Sequence, residues 1–218
     1  MKTSILSSLD LFPYFTIEAV KQLLEDESVA AGTIQTGLYR WMKAGRVYQL
    51  KKGVYMTRHF YELHRGDADF APAVSSILIP QSYVSLEFIL QRHAILTEVT
   101  YPTSAITLKH TRVIENKLGS FTYRNIKENL YNGFTISNYL GIPFSQATVA
   151  KALFDYLYLR PWKGKSQLSR YNLTEDLRLN LEDFSEEEKA EFVEFVETSK
   201  SEKMNQILKN LKETVWQL

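Results

Sequence analysis

The chain of 218 residues has no cysteine. That excludes disulfides, a cysteine zinc site and a thiol nucleophile. It has only nine glycines and six prolines, and no internal repeat or low-complexity segment. No apolar run approaches the roughly 20 residues that a membrane-spanning helix needs. The first fifteen residues, MKTSILSSLDLFPYF, carry Asp10 and no continuous apolar stretch. They read as the start of a helix and not as a signal peptide, so a cytoplasmic protein is expected. A Gly-rich phosphate loop, His-Glu-x-x-His and Gly-x-Ser-x-Gly are all missing. Glu87, Glu98, Glu115 and Glu128 are scattered, and none opens an acidic-x-Lys pair within an apolar strand. Nuclease chemistry wants clustered carboxylates around Mg²⁺, so the expectation is no enzyme, no cofactor and no metal.

A strong excess of one charge is missing too: the net charge is +1. The average hides a gradient. Residues 1–65 hold nine basic and six acidic side chains, residues 66–170 eleven and seven, and residues 171–218 six and twelve. A basic body thus precedes an acidic C-terminal end. The acidic helices there read as solvated faces, as a docking surface for a basic partner, or as a shield that keeps this end off DNA.

What is present in quantity is apolar residue, 44%, enough to bury a core. The most informative stretch is 33–56, TIQTGLYRWMKAGRVYQLKKGVYM. Stepping 100° per residue from Ile34 gathers Gly37, Leu38, Trp41 and Met42 on one stripe. Thr33, Thr36, Tyr39, Arg40 and Lys43 fall opposite. Gly45 suits a left-handed helix end. Residues 46–50 and 54–56 then read as strands flanking a Lys51-Lys52-Gly53 turn.

Residues 3–11 predict a first helix, with Ile5, Leu6 and Leu9 inward and Pro13 as its stop. Residues 17–25 predict a second, capped by Thr16, with Val20, Leu23 and Leu24 inward. An acidic turn, 25–28, follows. Three helices and a basic-tipped hairpin make a winged helix-turn-helix over residues 1–58. Its candidate DNA-binding residues are Thr33, Thr36, Tyr39, Arg40, Lys43, Arg46, Lys51 and Lys52. Arg40 and its Thr and Tyr neighbours are expected at base edges, and Arg46 with the hairpin lysines at phosphates.

Residues 57–71 read as an irregular linker. His59, His64, Asp67 and Asp69 lie within it but match no ligand spacing. Residues 70–218 read as a second, α+β domain. Helices are expected over 70–79 and 82–95, with a packed or capping His93. Strands are expected over 104–110, 119–125, 133–137 and 139–144, making a small sheet with helices to one side. Residues 147–159 are apolar nearly all round and predict a buried helix, in which Lys151 and Asp155 are one turn apart and paired. A basic loop, 160–170, whose part 163–170 is a candidate extension of the DNA footprint, precedes a short helix over 174–181. Ser185 to Glu188 is a capping box, and residues 201–216 close the chain with heptad-like apolar spacing.

The order of RVYQLKKGVY (46–55), SYVSLEFILQRHAI (82–95), ITLKH (106–110), FTYRNI (121–126) and GIPFSQATVAKALFDYLYL (141–159) resembles the AbiEi family of antitoxins from type IV toxin–antitoxin and abortive-infection operons. One departure is Thr148-Val149-Ala150, where the family often has Pro-Glu before Lys-Ala-Leu. The resemblance implies a winged helix that represses its own operon by binding double-stranded operator DNA. It also implies that the rest of the chain antagonises a nucleotidyltransferase-like toxin. Alternatives are a stand-alone transcription factor whose second domain senses a ligand or dimerises and, further off, a DNA-processing enzyme.

Overall fold

The computed structural model describes residues 3–24, 30–98, 102–161 and 172–216. It is a mixed α+β structure. The N-terminal part runs α1 (Thr3–Leu9), β1 (Phe15–Thr16), α2 (Ile17–Leu23), α3 (Ala31–Lys43), β2 (Val47–Lys51) and β3 (Val54–Thr57). The strands form an antiparallel sheet in the order β1-β3-β2. Strand β1 was not expected from the sequence. Two residues are too few to show a period, and only pairing of Phe15 with Tyr55 and of Thr16 with Val54 defines it. Thr16 serves twice, because its hydroxyl also caps α2 by accepting from the Ala19 amide at 3.3 Å.

These elements enclose their own core. Ile34, Leu38 and Trp41 of α3 pack with Ile5, Leu9, Phe15, Val20, Val47 and Tyr55. Leu23 was expected inward but is solvent-exposed; α2 ends there and Val20 alone is buried. The acidic stretch 25–28 lies outside the described residues.

The expected linker is instead a helix. Thr57 accepts from the Phe60 amide at 3.2 Å and starts α4 (Arg58–His64). Phe60 is buried, and α5 (Phe70–Leu78) follows. A single buried residue, Phe60, among mostly polar ones leaves no apolar period to read. His59 and His64 therefore sit on a helix rather than in a loop.

Next come β4 (Ser82–Val84), α6 (Glu87–Arg92), β5 (Thr103–Thr107), β6 (Arg112–Asn116), β7 (Gly119–Asn125), β8 (Phe134–Tyr139) and β9 (Ile142–Ala147). They build a six-stranded mixed sheet in the order β6-β7-β5-β4-β9-β8. Strand β4 corrects the helix expected over 82–95. Ser82, Tyr83 and Val84 are buried together between β5 and β9, so no alternation betrays the strand. Leu86, at φ 60°, then turns the chain into the shorter α6. His93 is the exposed C-cap residue of that helix.

Helices cover both faces of this sheet, not one. Adjacent residues Ala105 and Ile106 point to opposite sides, as a strand requires. Ala105 joins Phe121, Tyr123 and Phe144 in a cluster with Phe60, Phe70, Val74 and Ile77. Ile106 joins Tyr83 and Ala147 in the larger cluster with α7 (Val149–Leu159), α8 (Leu173–Leu177), α9 (Glu186–Ser199) and α10 (Glu202–Leu211). Residues Ala150 to Leu157 of α7 are all buried, as its composition predicts. The capping box at Ser185 and Glu188 is formed. No described helix is long and apolar enough to cross a membrane.

The two parts are packed together through the hairpin. Leu50 and Met56 belong to the cluster under α4 and α5, while Val47 and Tyr55 belong to the N-terminal core. One face of the β2–β3 ribbon thus serves each hydrophobic cluster.

Candidate nucleic-acid interface

Helix α3 is held by its apolar stripe, and what remains faces water. Ile34 is 0% and Leu38 1% exposed, whereas Tyr39 is 62% exposed. Thr33, Gln35, Thr36, Arg40 and Lys43 are exposed as well. Positions 33, 36, 40 and 43 recur at three- and four-residue steps and so line one ridge of the helix. Tyr39 flanks Arg40. Gln35 is exposed too, and its amide can serve adenine or phosphate, but it is not among the residues expected from sequence.

The Thr36 hydroxyl donates to the Gly32 carbonyl at 2.8 Å. That bond fixes the side-chain rotamer and leaves its oxygen lone pairs free to accept. Gly45 takes φ +67° after the Ala44 C-cap and ends the helix, so that Arg46 emerges exposed at the start of β2. The Arg46 carbonyl accepts from the Arg58 amide at 2.8 Å, tying this corner to the start of α4.

The hairpin tip divides its two lysines. Gly53, at φ +79°, closes the turn and Lys52 is exposed. Lys51 is only partly exposed and does not point outward for a phosphate. Its ammonium donates to the Ile77 carbonyl at 2.5 Å and lies 3.4 Å from the Leu78 carbonyl. These are carbonyls at the C-terminal end of α5, where the helix dipole favours a cation. Partial burial, and then repulsion from Lys109, hold the Lys51 ammonium below its usual range. Of the two hairpin lysines expected at phosphates, Lys51 is thus corrected to a tie on α5, and Lys52 alone is exposed. A Lys-Lys-Gly run cannot reveal which lysine finds a helix terminus that lies 26 residues away.

Beside the C-terminal end of α3 runs an open groove of about 520 Å³. It is lined by Met42, Lys43 and Gly45, by Val47, Tyr48 and Gln49 of β2, and by Arg58 and Lys117. Arg58 bonds Glu62 through Nε at 2.6 Å on the exposed face of α4. Among the described residues, Lys43 and Lys117 have no carboxylate partner. The residues that geometry adds to the basic face are thus Arg58 and Lys117, from outside the segment 33–56. Lys117 reads in sequence only as a turn residue.

The remaining candidates are placed elsewhere. His64 Nδ1 lies 2.9 Å from Asp67 Oδ2, and the Tyr139 hydroxyl donates to the same oxygen at 2.5 Å. Those bonds hold the Asp67 carboxyl below its usual range, Tyr139 first and His64 second. Asp69 accepts from Arg92 at 2.8 Å. These acids tie elements together, and no group of three His, Cys, Asp or Glu that could hold a metal occurs among the described residues. Glu115-Asn116-Lys117 does have an acidic-x-Lys spacing, but it stands at the exposed end of the edge strand β6. Lys151 and Asp155 are paired and sealed from solvent. The basic segment 163–170 lies outside the described residues.

No protein-family profile matches the chain, and no characterised protein resembles it at a significant level.

Proposed function

We propose that this chain is a DNA-binding transcriptional repressor of the winged helix-turn-helix class. The carrying observation is the ridge of Thr33, Thr36, Arg40 and Lys43 on α3, with Tyr39 beside it and Arg46 and Lys52 at its flanks. A helix anchored by one apolar stripe and free on the other can enter a major groove, where an arginine fork reads guanine and threonine or tyrosine adapts to neighbours. Helix α3 runs 13 residues, so it is long enough to lie along the groove.

The particular reading is an antitoxin of a type IV toxin–antitoxin system, acting in the cytoplasm. It would repress its own operon and counter a nucleotidyltransferase-like toxin. The order of segments that resembles the AbiEi family supports it, as does the division of the chain into a basic body and an acidic end. Exposed Glu186, Glu187, Glu194 and Glu197 on α9 are suited to a basic partner.

Two measurements test the two halves. The unaltered protein binds a duplex from the DNA upstream of its own gene, and Arg40→Ala costs about 1–3 kcal/mol and relaxes base preference. Equal affinity of both proteins for that duplex and for a scrambled one would sink the repressor reading. Co-expression with the adjacent toxin gene restores growth; no rescue removes the antitoxin half and leaves the repressor.

A further inference from the structure

We propose that the β6–β7 turn of the second domain is a DNA-backbone clamp, with Lys117 holding a phosphate in the groove beside α3. This rests on the repressor reading above. It adds a contact from a part of the chain that the reading assigns to other work.

The turn is fixed where it needs to be. Asn116 donates from Nδ2 to the Leu50 carbonyl of β2 at 3.4 Å, and its Oδ1 accepts from the Leu118 amide at 2.8 Å. The first bond ties Asn116 to the hairpin, and the second closes the turn around Lys117. Strand β6 pairs with β7 up to Asn116 and Gly119, so the turn is short. Gly119, at φ +144°, permits it. Lys117 itself is exposed and borders the groove with Lys43, Gly45, Tyr48, Gln49 and Arg58.

Charge in the groove comes from three separate elements: the end of α3, the start of α4 and the β6–β7 turn. Among the described residues, the one acid paired with these cations is Glu62, on Arg58. Tyr48 and Gln49 add groups that can donate to phosphate oxygens. Met42 and Val47 also line the groove, but it is open and carries three cations against one acid among the described residues, which suits a polyanion passing through better than a small molecule enclosed. Lys43 belongs to the ridge proposed to enter the major groove, so a backbone flanking that groove would cross this channel.

The same geometry accounts for the hairpin tip. Lys51 is committed to α5, which leaves Lys52 alone at the place where two phosphate-holding lysines were expected. Lys117, braced against the strand that carries Lys51, restores the second cation.

The test uses the full chain and two duplexes of equal length, one from the DNA upstream of its gene and one of mixed sequence. Affinity is measured over a series of salt concentrations for the unaltered protein, Lys117→Ala and Lys117→Arg. Lys117→Ala is expected to weaken binding to both duplexes by a similar factor and to lower the log–log salt slope by about 0.9. Lys117→Arg keeps the slope. The substituted side chain is exposed, so an unchanged urea midpoint is expected and excludes misfolding as the cause. If the unaltered protein binds and Lys117→Ala has its slope and affinity, the clamp is wrong while the repressor reading stands. If Lys117→Ala weakens the upstream duplex alone, Lys117 acts on sequence and not on the backbone, and the clamp is wrong. If the unaltered protein binds no duplex, the repressor reading fails and the clamp falls with it.

Discussion

Lys151 Nζ lies 2.6 Å from Asp155 Oδ1, and neither side chain has any solvent exposure. Asp155 Oδ2 takes two more bonds, from the Tyr83 hydroxyl at 3.0 Å and the Ser85 hydroxyl at 2.8 Å. The ammonium also lies over the Phe154, Phe195 and Tyr83 rings at 4.8, 5.3 and 5.8 Å. Helix α7 is thus locked to β4 by a closed polar group inside an apolar core. Burial pushes the Asp155 carboxyl up and the Lys151 ammonium down, against their mutual attraction.

Removing one partner strands the other. Asp155→Ala is expected to cost about 3–5 kcal/mol, because Lys151 and two hydroxyls are left buried without their acceptor. Replacing the whole group, with Lys151→Met, Asp155→Leu, Tyr83→Phe and Ser85→Ala, recovers most of that loss. Urea denaturation of both variants measures it. A single variant within about 0.5 kcal/mol of the unaltered protein would contradict a closed, interdependent group.

Residues 147–159 show what a sequence can disclose. An all-round apolar helix has one reading, and its i, i+4 charges have one convenient partner. Helix α3 was legible for the same reason, since period and burial agree at Ile34, Leu38 and Trp41. Strand β4 was not, because burial on both faces erases the period. Nor was β1, whose two residues owe everything to β3. The candidate site follows that division. The ridge on α3 is local and could be found from spacing. The fate of Lys51 and the place of Lys117 depend on contacts 26 and 66 residues away in the chain, Lys51 to Ile77 and Asn116 to Leu50. No local pattern encodes those.

Alkali is expected to unfold the protein through its buried tyrosines. Tyr123 exchanges bonds with Ser75, donating to the carbonyl at 2.9 Å and accepting from the hydroxyl at 3.1 Å. Burial pushes its hydroxyl from 10.0 up to about 12. Burial, and then the charge of Asp155, raise Tyr83 further. A folded value above the unfolded one means that the neutral form is favoured by folding. The contribution is complete below pH 10, where both states are protonated, and is lost as pH rises beyond it. Tyr123→Phe should flatten the fall in stability between about pH 10 and 12, seen by denaturation at successive pH values. A fall as steep as in the unaltered protein would show that Tyr123 ionises without unfolding.

The two hairpin lysines should separate cleanly, although they are neighbours. Lys51→Met keeps the aliphatic stem and deletes the ammonium. It leaves the Ile77 and Leu78 carbonyls without their donor and loosens the hairpin from α5, at an expected cost of about 1–2 kcal/mol in stability. Its salt slope for duplex binding should match that of the unaltered protein, because that ammonium faces a helix end and not a phosphate. Lys52→Ala is the converse. The residue is exposed and has no partner among the described residues, so stability stays within about 0.5 kcal/mol. Its slope should fall by about 0.9, the signature of one lost phosphate contact. Salt titrations and urea midpoints on the two variants give four numbers, and the expected pattern is crossed: stability without slope for Lys51, slope without stability for Lys52. A slope that falls equally for both would mean that Lys51 leaves α5 when DNA arrives. The hairpin would then be held to the second domain by apolar packing of Leu50 and Met56 and by the Asn116 bond to the Leu50 carbonyl.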